Sequence, residues 1–124
     1  GSGRPAVFVA GGIGVAPFLS IIQQACEENF KQDIVLLYTN SRAETVVYLD
    51  ELENLQRLNP RFHLVHVLHR VNAELLRGAT EDPRHAQWYV CGPSGMVLYT
   101  QELLEALGVN PGEVRQEIFT GCSE

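Results

Sequence analysis

One stretch near the amino terminus, Val7-Phe8-Val9-Ala10-Gly11-Gly12-Ile13-Gly14-Val15-Ala16-Pro17-Phe18-Leu19, joins a short apolar run to clustered glycines and a proline. This pattern predicts a strand, a tight turn and a helix. Glycine permits positive φ and lets a ligand approach the backbone without a Cβ in the way. Pro17 suits the first helical position, where its missing N–H has no partner to lose. The free N–H groups of that first turn form an anion site, for which a pyrophosphate is the natural ligand.

The glycine turn alone does not identify a dinucleotide site. Gly12-x-Gly14 is followed by Pro17, where the usual fingerprint has a third glycine. The acidic residue that binds the ribose at the end of the second strand is also absent. An ordinary glycine-rich turn is therefore an equal alternative at this point. If the turn does bind a ligand, we expect Gly14→Val to abolish dinucleotide binding while the domain stays folded.

The composition is typical of a soluble globular domain. The chain has 124 residues, 45% hydrophobic and 19% charged, which is enough for one domain with its own core. Its net charge of −6 argues against nucleic acid or an anionic membrane as a partner. There is no apolar run of membrane-spanning length and no secretory signal. Residues 1–3 resemble a tag remnant, so the domain is expected to occupy residues 4–124.

The cysteine and histidine spacings exclude the common metal and disulfide patterns. Three cysteines, odd in number and far apart, favour a reducing compartment and hence a cytoplasmic location. His63, His66 and His69 lie three residues apart on a predicted strand. Neighbours at that spacing point to opposite faces, so the three rings cannot converge and no metal site is expected.

The chain alternates apolar runs with helical periodicity. Strands are predicted over residues 6–10, 33–38, 62–68, 88–91 and 114–119. Helices are predicted over about 17–28, 46–58 and 96–107, with a short helix that Asn72 caps and Gly78 ends. Four β-α repeats and a final strand predict an α/β fold, a doubly wound parallel sheet with helices on both faces.

The unusual residue clusters all follow the carboxyl ends of these strands. They lie at residues 11–14, 39–42, 69–70, 91–96 and 117–120. In such sheets a ligand binds outside the carboxyl ends, at the point where the strand order reverses. A single cleft at this edge accounts for all five clusters.

Three motifs occur one after another and together extend over almost the whole chain. They are Gly11-Gly12-Ile13-Gly14-Val15-Ala16-Pro17, then Tyr89-Val90-Cys91-Gly92-Pro93-x-Gly95-Met96, then Glu117-x-Phe119. Together they resemble the pyridine-nucleotide domain of the ferredoxin–NADP reductase superfamily. The resemblance implies a Rossmann-like sheet of five strands in the order 3-2-1-4-5, with strands one and four flanking the switch point. It also implies hydride transfer between NAD(P)H and a flavin.

The resemblance assigns a role to each matching residue. For the pyrophosphate these are Gly11, Gly12, Gly14, Val15, Ala16 and Pro17. For the adenosine half they are Thr39, Asn40, Arg42, His69 and Arg70. On the nicotinamide side they are Cys91, Gly92, Pro93, Gly95 and Met96, with Glu117 and Phe119 beside the flavin. Cys91 and Glu117 are the candidate catalytic residues, although a buried structural thiol and a solvated carboxylate are the alternatives.

The flavin has to come from elsewhere, because family members carry it on a β-barrel that this sequence does not contain. We therefore expect FAD or FMN on another domain or subunit, and an iron–sulfur, haem or other acceptor downstream. A regulatory module that binds nucleotide without redox work is the alternative. A flavodoxin-like interaction domain that binds no nucleotide is a second alternative. The Lys-x-Tyr pair that holds a 2′-phosphate in NADP-specific members is missing, while Arg42 and Arg70 are present, so either cofactor is expected to bind.

Overall fold

A computed structural model describes residues 4–118, and the side chains of residues 4–116. The five strands are β1 (Ala6–Gly11), β2 (Ile34–Thr39), β3 (Phe62–Val67), β4 (Gln87–Gly92) and β5 (Val114–Ile118). The four helices are α1 (Val15–Glu27), α2 (Leu49–Leu58), α3 (Ala73–Gly78) and α4 (Ser94–Ala106). Single 3₁₀ turns lie at Gly12–Gly14, Ala43–Thr45, Pro83–His85 and Pro111–Glu113.

All five strands are parallel, in the order β3-β2-β1-β4-β5. This confirms the predicted doubly wound sheet and the strand order that the family resemblance implied. The chain leaves β1 towards β2 and later returns to pair β4 with the other side of β1. The strand order therefore reverses between β1 and β4, and a crevice is expected at their carboxyl ends.

The central strand β1 is buried along its whole length because helices cover both faces of the sheet. Phe8 packs with residues of α1 and α2, including Phe18 and Leu52. Val9 packs on the opposite face with residues of α3 and α4, including Leu76. This arrangement explains why β1 and β2 are continuous apolar runs rather than alternating ones.

The beginning of α1 differs from the prediction. The helix starts at Val15, so Pro17 is its third residue rather than its first. Gly12, at φ 57°, turns the chain into a 3₁₀ turn that runs directly into the helix. Pro17 is nevertheless within the first turn of the helix, although the N–H of Val15 is already bonded to the carbonyls of Gly12 and Ile13 in the 3₁₀ turn.

The beginning of α2 also differs from the prediction, by three residues. The helix starts at Leu49 after Tyr48, whose φ of 63° lies in the left-handed region. The buried Tyr38 hydroxyl donates to the carbonyl of Val47 at 3.1 Å and accepts from its N–H at 2.8 Å. Because Tyr38 satisfies both backbone groups of Val47, residues 46–48 keep a non-helical path across the core.

Two helix ends agree with the sequence signals. The Asn72 side chain accepts a hydrogen bond from the N–H of Leu75 at 2.8 Å and so caps α3 as predicted. Gly108 follows α4 with φ 91°, a conformation that favours glycine. The α4 helix itself begins at Ser94, two residues before the predicted start.

Candidate functional site

The turns after β1 and β4 lie side by side because their strands are paired. Ala10 is in register with Cys91 at the carboxyl edge of the sheet. A Cβ built on Gly14 would lie 2.7 Å from the carbonyl carbon of Cys91 and 2.9 Å from the Cα of Gly92. The backbone of the first turn therefore lies directly against the end of β4. Gly14 is required by this packing, independently of any ligand, so the expectation that Gly14→Val would leave the domain intact is wrong: a larger side chain meets the backbone of Cys91 and Gly92.

Met96 packs across both strand ends. A Cβ on Gly11 would lie 3.1 Å from the Met96 Cγ, and a Cβ on Gly92 would lie 2.9 Å from its Sδ. Both glycines are buried, whereas Met96 is only partly so. The thioether thus lies over the β1 and β4 ends and forms part of the wall of an adjacent cleft.

A cleft of about 560 Å³ opens beside these turns, on the face covered by α3 and α4. Its walls come from the turns after β2, β3 and β4 and from the first two turns of α4. The lining residues are Thr39, Ser41, His69, Arg70, Val71, Pro93, Gly95, Met96 and Tyr99. Six of these residues were predicted from the sequence as cofactor contacts: Thr39, His69, Arg70, Pro93, Gly95 and Met96. The structure brings them together from three strand ends. None of the nine is acidic, so the cleft suits an anionic ligand.

The glycine turn is not part of this lining. Gly11, Gly12 and Gly14 are buried, and Val15 is completely so. Ala16 and Pro17 are partly exposed in the first turn of α1, outside the cleft walls. The turn borders the cleft through Met96, which contacts the end of β1.

The residues predicted for the adenosine half fall into two groups. His69 and Arg70 are exposed and line the cleft, and Nδ1 of His69 lies 2.8 Å from the carbonyl oxygen of Arg70. Thr39 also lines the cleft, while its hydroxyl donates to the carbonyl of Ala10 at 3.1 Å. Arg42 is exposed but lies outside the lining, one residue after Ser41.

Asn40 has a structural position, although it was predicted as a cofactor contact. Its side chain is 1% exposed, and its Nδ2 donates to the Thr45 hydroxyl at 3.0 Å. Its Oδ1 lies 3.1 Å from Nε2 of His66. The amide is thus engaged at both ends inside the protein, where it holds the turn that carries Ser41.

Cys91 and Glu117 are neighbours across β4 and β5, where their backbones pair in register. Cys91 has no exposed surface and belongs to the core beneath α1, together with Phe8 and Phe18. Its placement agrees with the alternative of a buried thiol that shapes the strand end. The side chain of Glu117 and the whole of Phe119 lie outside the described residues.

Sequence reasoning did not name three residues of the cleft, Ser41, Val71 and Tyr99, although Ser41 lies within the predicted cluster 39–42. Val71 follows Arg70 directly and is 3% exposed. Tyr99 is 46% exposed and lies three residues after Met96. Positions three apart share a helix face, so the helical spacing from Met96 was a usable signal for Tyr99.

A second cavity, of about 620 Å³, lies at the opposite edge of the sheet. It includes Asp33, His63 and His85 near the amino ends of the strands. In residues 4–118 there is no group of three or more His, Cys, Asp or Glu side chains arranged to hold a metal ion. None of the helices over the same residues has the length and apolar character needed to cross a bilayer.

Residues 8–102 match the family described as the oxidoreductase NAD-binding domain. The chain belongs to this family. It is 34% identical to the heme-dependent oxidative N-demethylase beta subunit of Ectopseudomonas mendocina, over 98% of this chain and 38% of that protein. It is also 34% identical to the 2-halobenzoate 1,2-dioxygenase electron transfer component of Burkholderia cepacia, over 87% of this chain and 35% of that protein.

The fold agrees with solved relatives. The cytochrome b5 reductase domain of Ulva prolifera nitrate reductase superimposes with a TM-score of 0.83 at 19% identity, over 92% of this chain and 48% of that one. The predicted membership of the ferredoxin–NADP reductase superfamily is confirmed. The chain spans less than two fifths of the length of the two curated relatives, at 38% and 35%.

Proposed function

We propose that this domain binds NAD(P)H across the carboxyl edge of its sheet and presents the nicotinamide to FAD or FMN held by another domain or subunit. The observation that carries this proposal is the cleft at the switch point. It draws its walls from three strand ends, contains Arg70 and has no acidic lining residue. A pyrophosphate-containing ligand needs this combination of depth, positive charge and freedom from carboxylates.

The chain's own residues act by positioning. We assign the pyrophosphate to the border of the cleft, where Gly14 packs on the end of β4 and the first turn of α1 offers backbone N–H groups. Arg70, with His69, Thr39 and Arg42 nearby, holds the adenosine half. Pro93, Gly95 and Met96 form the wall on the nicotinamide side.

Cys91 and Glu117 act at the end of the sheet nearest the flavin. The buried Cys91 fixes the shape of the strand end beside the nicotinamide, and the resemblance assigns Glu117 and Phe119 to the flavin side. When both cofactors are bound, the nicotinamide supplies a hydride and the flavin accepts it. The protein contributes the alignment and the exclusion of water around the two rings.

We propose that this domain works in a cytoplasmic reductase that passes electrons to an iron–sulfur, haem or other acceptor. The names of two relatives, an electron transfer component and a heme-dependent demethylase subunit, support the electron-transfer part of this proposal.

The test of this function uses the 124-residue chain with and without added flavin. We expect NADH binding by calorimetry and no NADH oxidation by the chain alone, because no hydride acceptor is held in place. Addition of the flavin domain of the parent protein should start oxidation. Binding without oxidation in the complete protein would instead identify a regulatory module, and absence of binding would identify an interaction domain.

The choice between NADH and NADPH depends on Arg42 and Arg70. Both are exposed near the adenosine end, and guanidinium is the usual partner of a phosphate dianion. A charge-assisted contact is worth about 1.5–3 kcal/mol, or roughly one to two decades in affinity. We expect the wild type to accept either cofactor, and the double substitution to Ala to weaken NADPH more than NADH in calorimetric titrations. Equal losses for the two cofactors would show that neither arginine reads the 2′-phosphate.

A further inference from the structure

Tyr99 is an aromatic residue of the cleft to which the proposed chemistry gives no role. It lies on α4 three residues after Met96 and four after Gly95, so the three positions share one face of the helix. All three line the cleft. Leu98, the adjacent residue, is more exposed than Tyr99, at 57% against 46%, yet lies outside the lining.

The Tyr99 ring makes fewer contacts than the aromatic rings of the core around Phe8 and Tyr38. Phe8 stacks on Tyr89 with centroids 4.6 Å apart, and the Tyr38 hydroxyl is hydrogen-bonded to Val47. Over residues 4–116, by contrast, no hydrogen bond or ring contact engages Tyr99. A large ring that is 46% exposed in a cleft and makes no ring contact has aromatic surface available for a flat ligand group.

The remaining walls indicate which part of the ligand reaches this ring. The turns after β2 and β3 contribute Ser41 and Arg70, a hydroxyl and a guanidinium suited to ribose and phosphate oxygens. The nicotinamide end lies inward, where Met96 packs on the strand ends. Tyr99 lies three residues after Met96 on α4 and is more exposed than Met96. Because Ser41, Arg70 and Tyr99 line the same cleft, a base attached to a ribose at Ser41 and Arg70 has the Tyr99 ring as an aromatic wall of its cleft.

We propose that Tyr99 is the surface on which the adenine ring of the bound dinucleotide stacks, an assignment that rests on the proposed nucleotide-binding function. Stacking of a base on an aromatic side chain requires only a flat face on each partner. The ring therefore contributes to the affinity for every ligand that contains adenine, including ADP and both the reduced and the oxidised dinucleotide. The contact requires an aromatic ring. We therefore expect the Tyr99 hydroxyl to be dispensable and an aliphatic side chain of similar size to be insufficient.

The test compares ADP binding to the wild type and to Tyr99→Ala, Tyr99→Leu and Tyr99→Phe, with Leu98→Ala as the matched surface control. We expect Tyr99→Ala to weaken ADP about tenfold in calorimetry, a typical effect of removing one stacking ring. Tyr99→Phe should retain wild-type affinity because it keeps the ring. Tyr99→Leu should resemble Tyr99→Ala, and Leu98→Ala should bind as the wild type does.

A spectroscopic readout separates stacking from an indirect effect on structure. In the wild type and in Tyr99→Phe, the adenine H2 and H8 proton resonances should move upfield on binding, and in Tyr99→Ala this shift should disappear. Unchanged ADP affinity in Tyr99→Ala, or an adenine shift that persists in that variant, would overturn the assignment of Tyr99. If the wild type binds neither ADP nor NADH, the proposed nucleotide function fails together with the assignment.

Discussion

Gly14→Ala is expected to destabilise the domain and to weaken NADH binding together. The added Cβ would lie 2.7 Å from the Cys91 carbonyl carbon, a backbone atom that cannot swing aside as a flexible side chain can. The glycine turn and the end of β4 would have to separate. Overpacking of this kind costs about 1–3 kcal/mol, which lowers the melting temperature by roughly 5 °C or more in a domain of this size.

The control for this prediction is Gly112→Ala. A Cβ at Gly112 would lie 3.4 Å from Oδ1 of Asn110, an ordinary contact on an exposed turn. Its melting temperature and NADH affinity should match the wild type. If Gly14→Ala melted and bound NADH as the wild type does, the close packing of the first turn on β4 would be contradicted.

Gly95→Leu is expected to reduce NADH affinity at least about tenfold without loss of stability. Gly95 lines the cleft, is exposed, and has no atom within 4 Å of the position of a new Cβ. A leucine there meets no protein atom at its Cβ, and the side chain occupies space that the dinucleotide needs. Each misplaced methylene in a binding pocket costs about 1–3 kcal/mol of binding free energy. Leucine adds four carbons, so a tenfold loss of NADH affinity is a lower limit.

Gly78→Leu is the matched control for Gly95→Leu. Gly78 is also exposed and helical, with open space around its Cβ position, but it lines a separate cavity of about 290 Å³ that shares only His69 with the cleft. Both variants should unfold at the wild-type temperature within about 2 °C, as is usual for surface changes. Calorimetry should then show weakened NADH binding for Gly95→Leu alone. Equal affinity of the two variants would contradict the placement of the ligand in this cleft.

The topology was predictable because its signals are local. Continuous apolar runs such as β1 mark strands covered on both faces, and the helical repeats between them force parallel connections. The start of α2 was predicted wrongly because it depends on Tyr38, a residue on a different strand. Periodicity cannot show that a distant hydroxyl satisfies the backbone of Val47.

The candidate site shows the same division between local and distant causes. Arg70 and Pro93 were expected at one cleft because both follow strand ends, and the structure places them there. The packing of Gly14 on β4 joins residues more than seventy positions apart in the chain, so no local pattern reveals it. The engagement of Asn40 by His66 likewise depends on where β3 lies.

The central claim is that a dinucleotide binds at the carboxyl edge of this sheet. The most direct measurement is an NMR titration of the 124-residue chain with NADH, followed at each assigned backbone amide. We predict that the largest shift changes fall on residues 11–17, 39–42, 69–71 and 92–99, which surround the switch point. Changes concentrated around Asp33, His63 and His85 at the opposite edge, or no changes at saturating NADH, would contradict the claim.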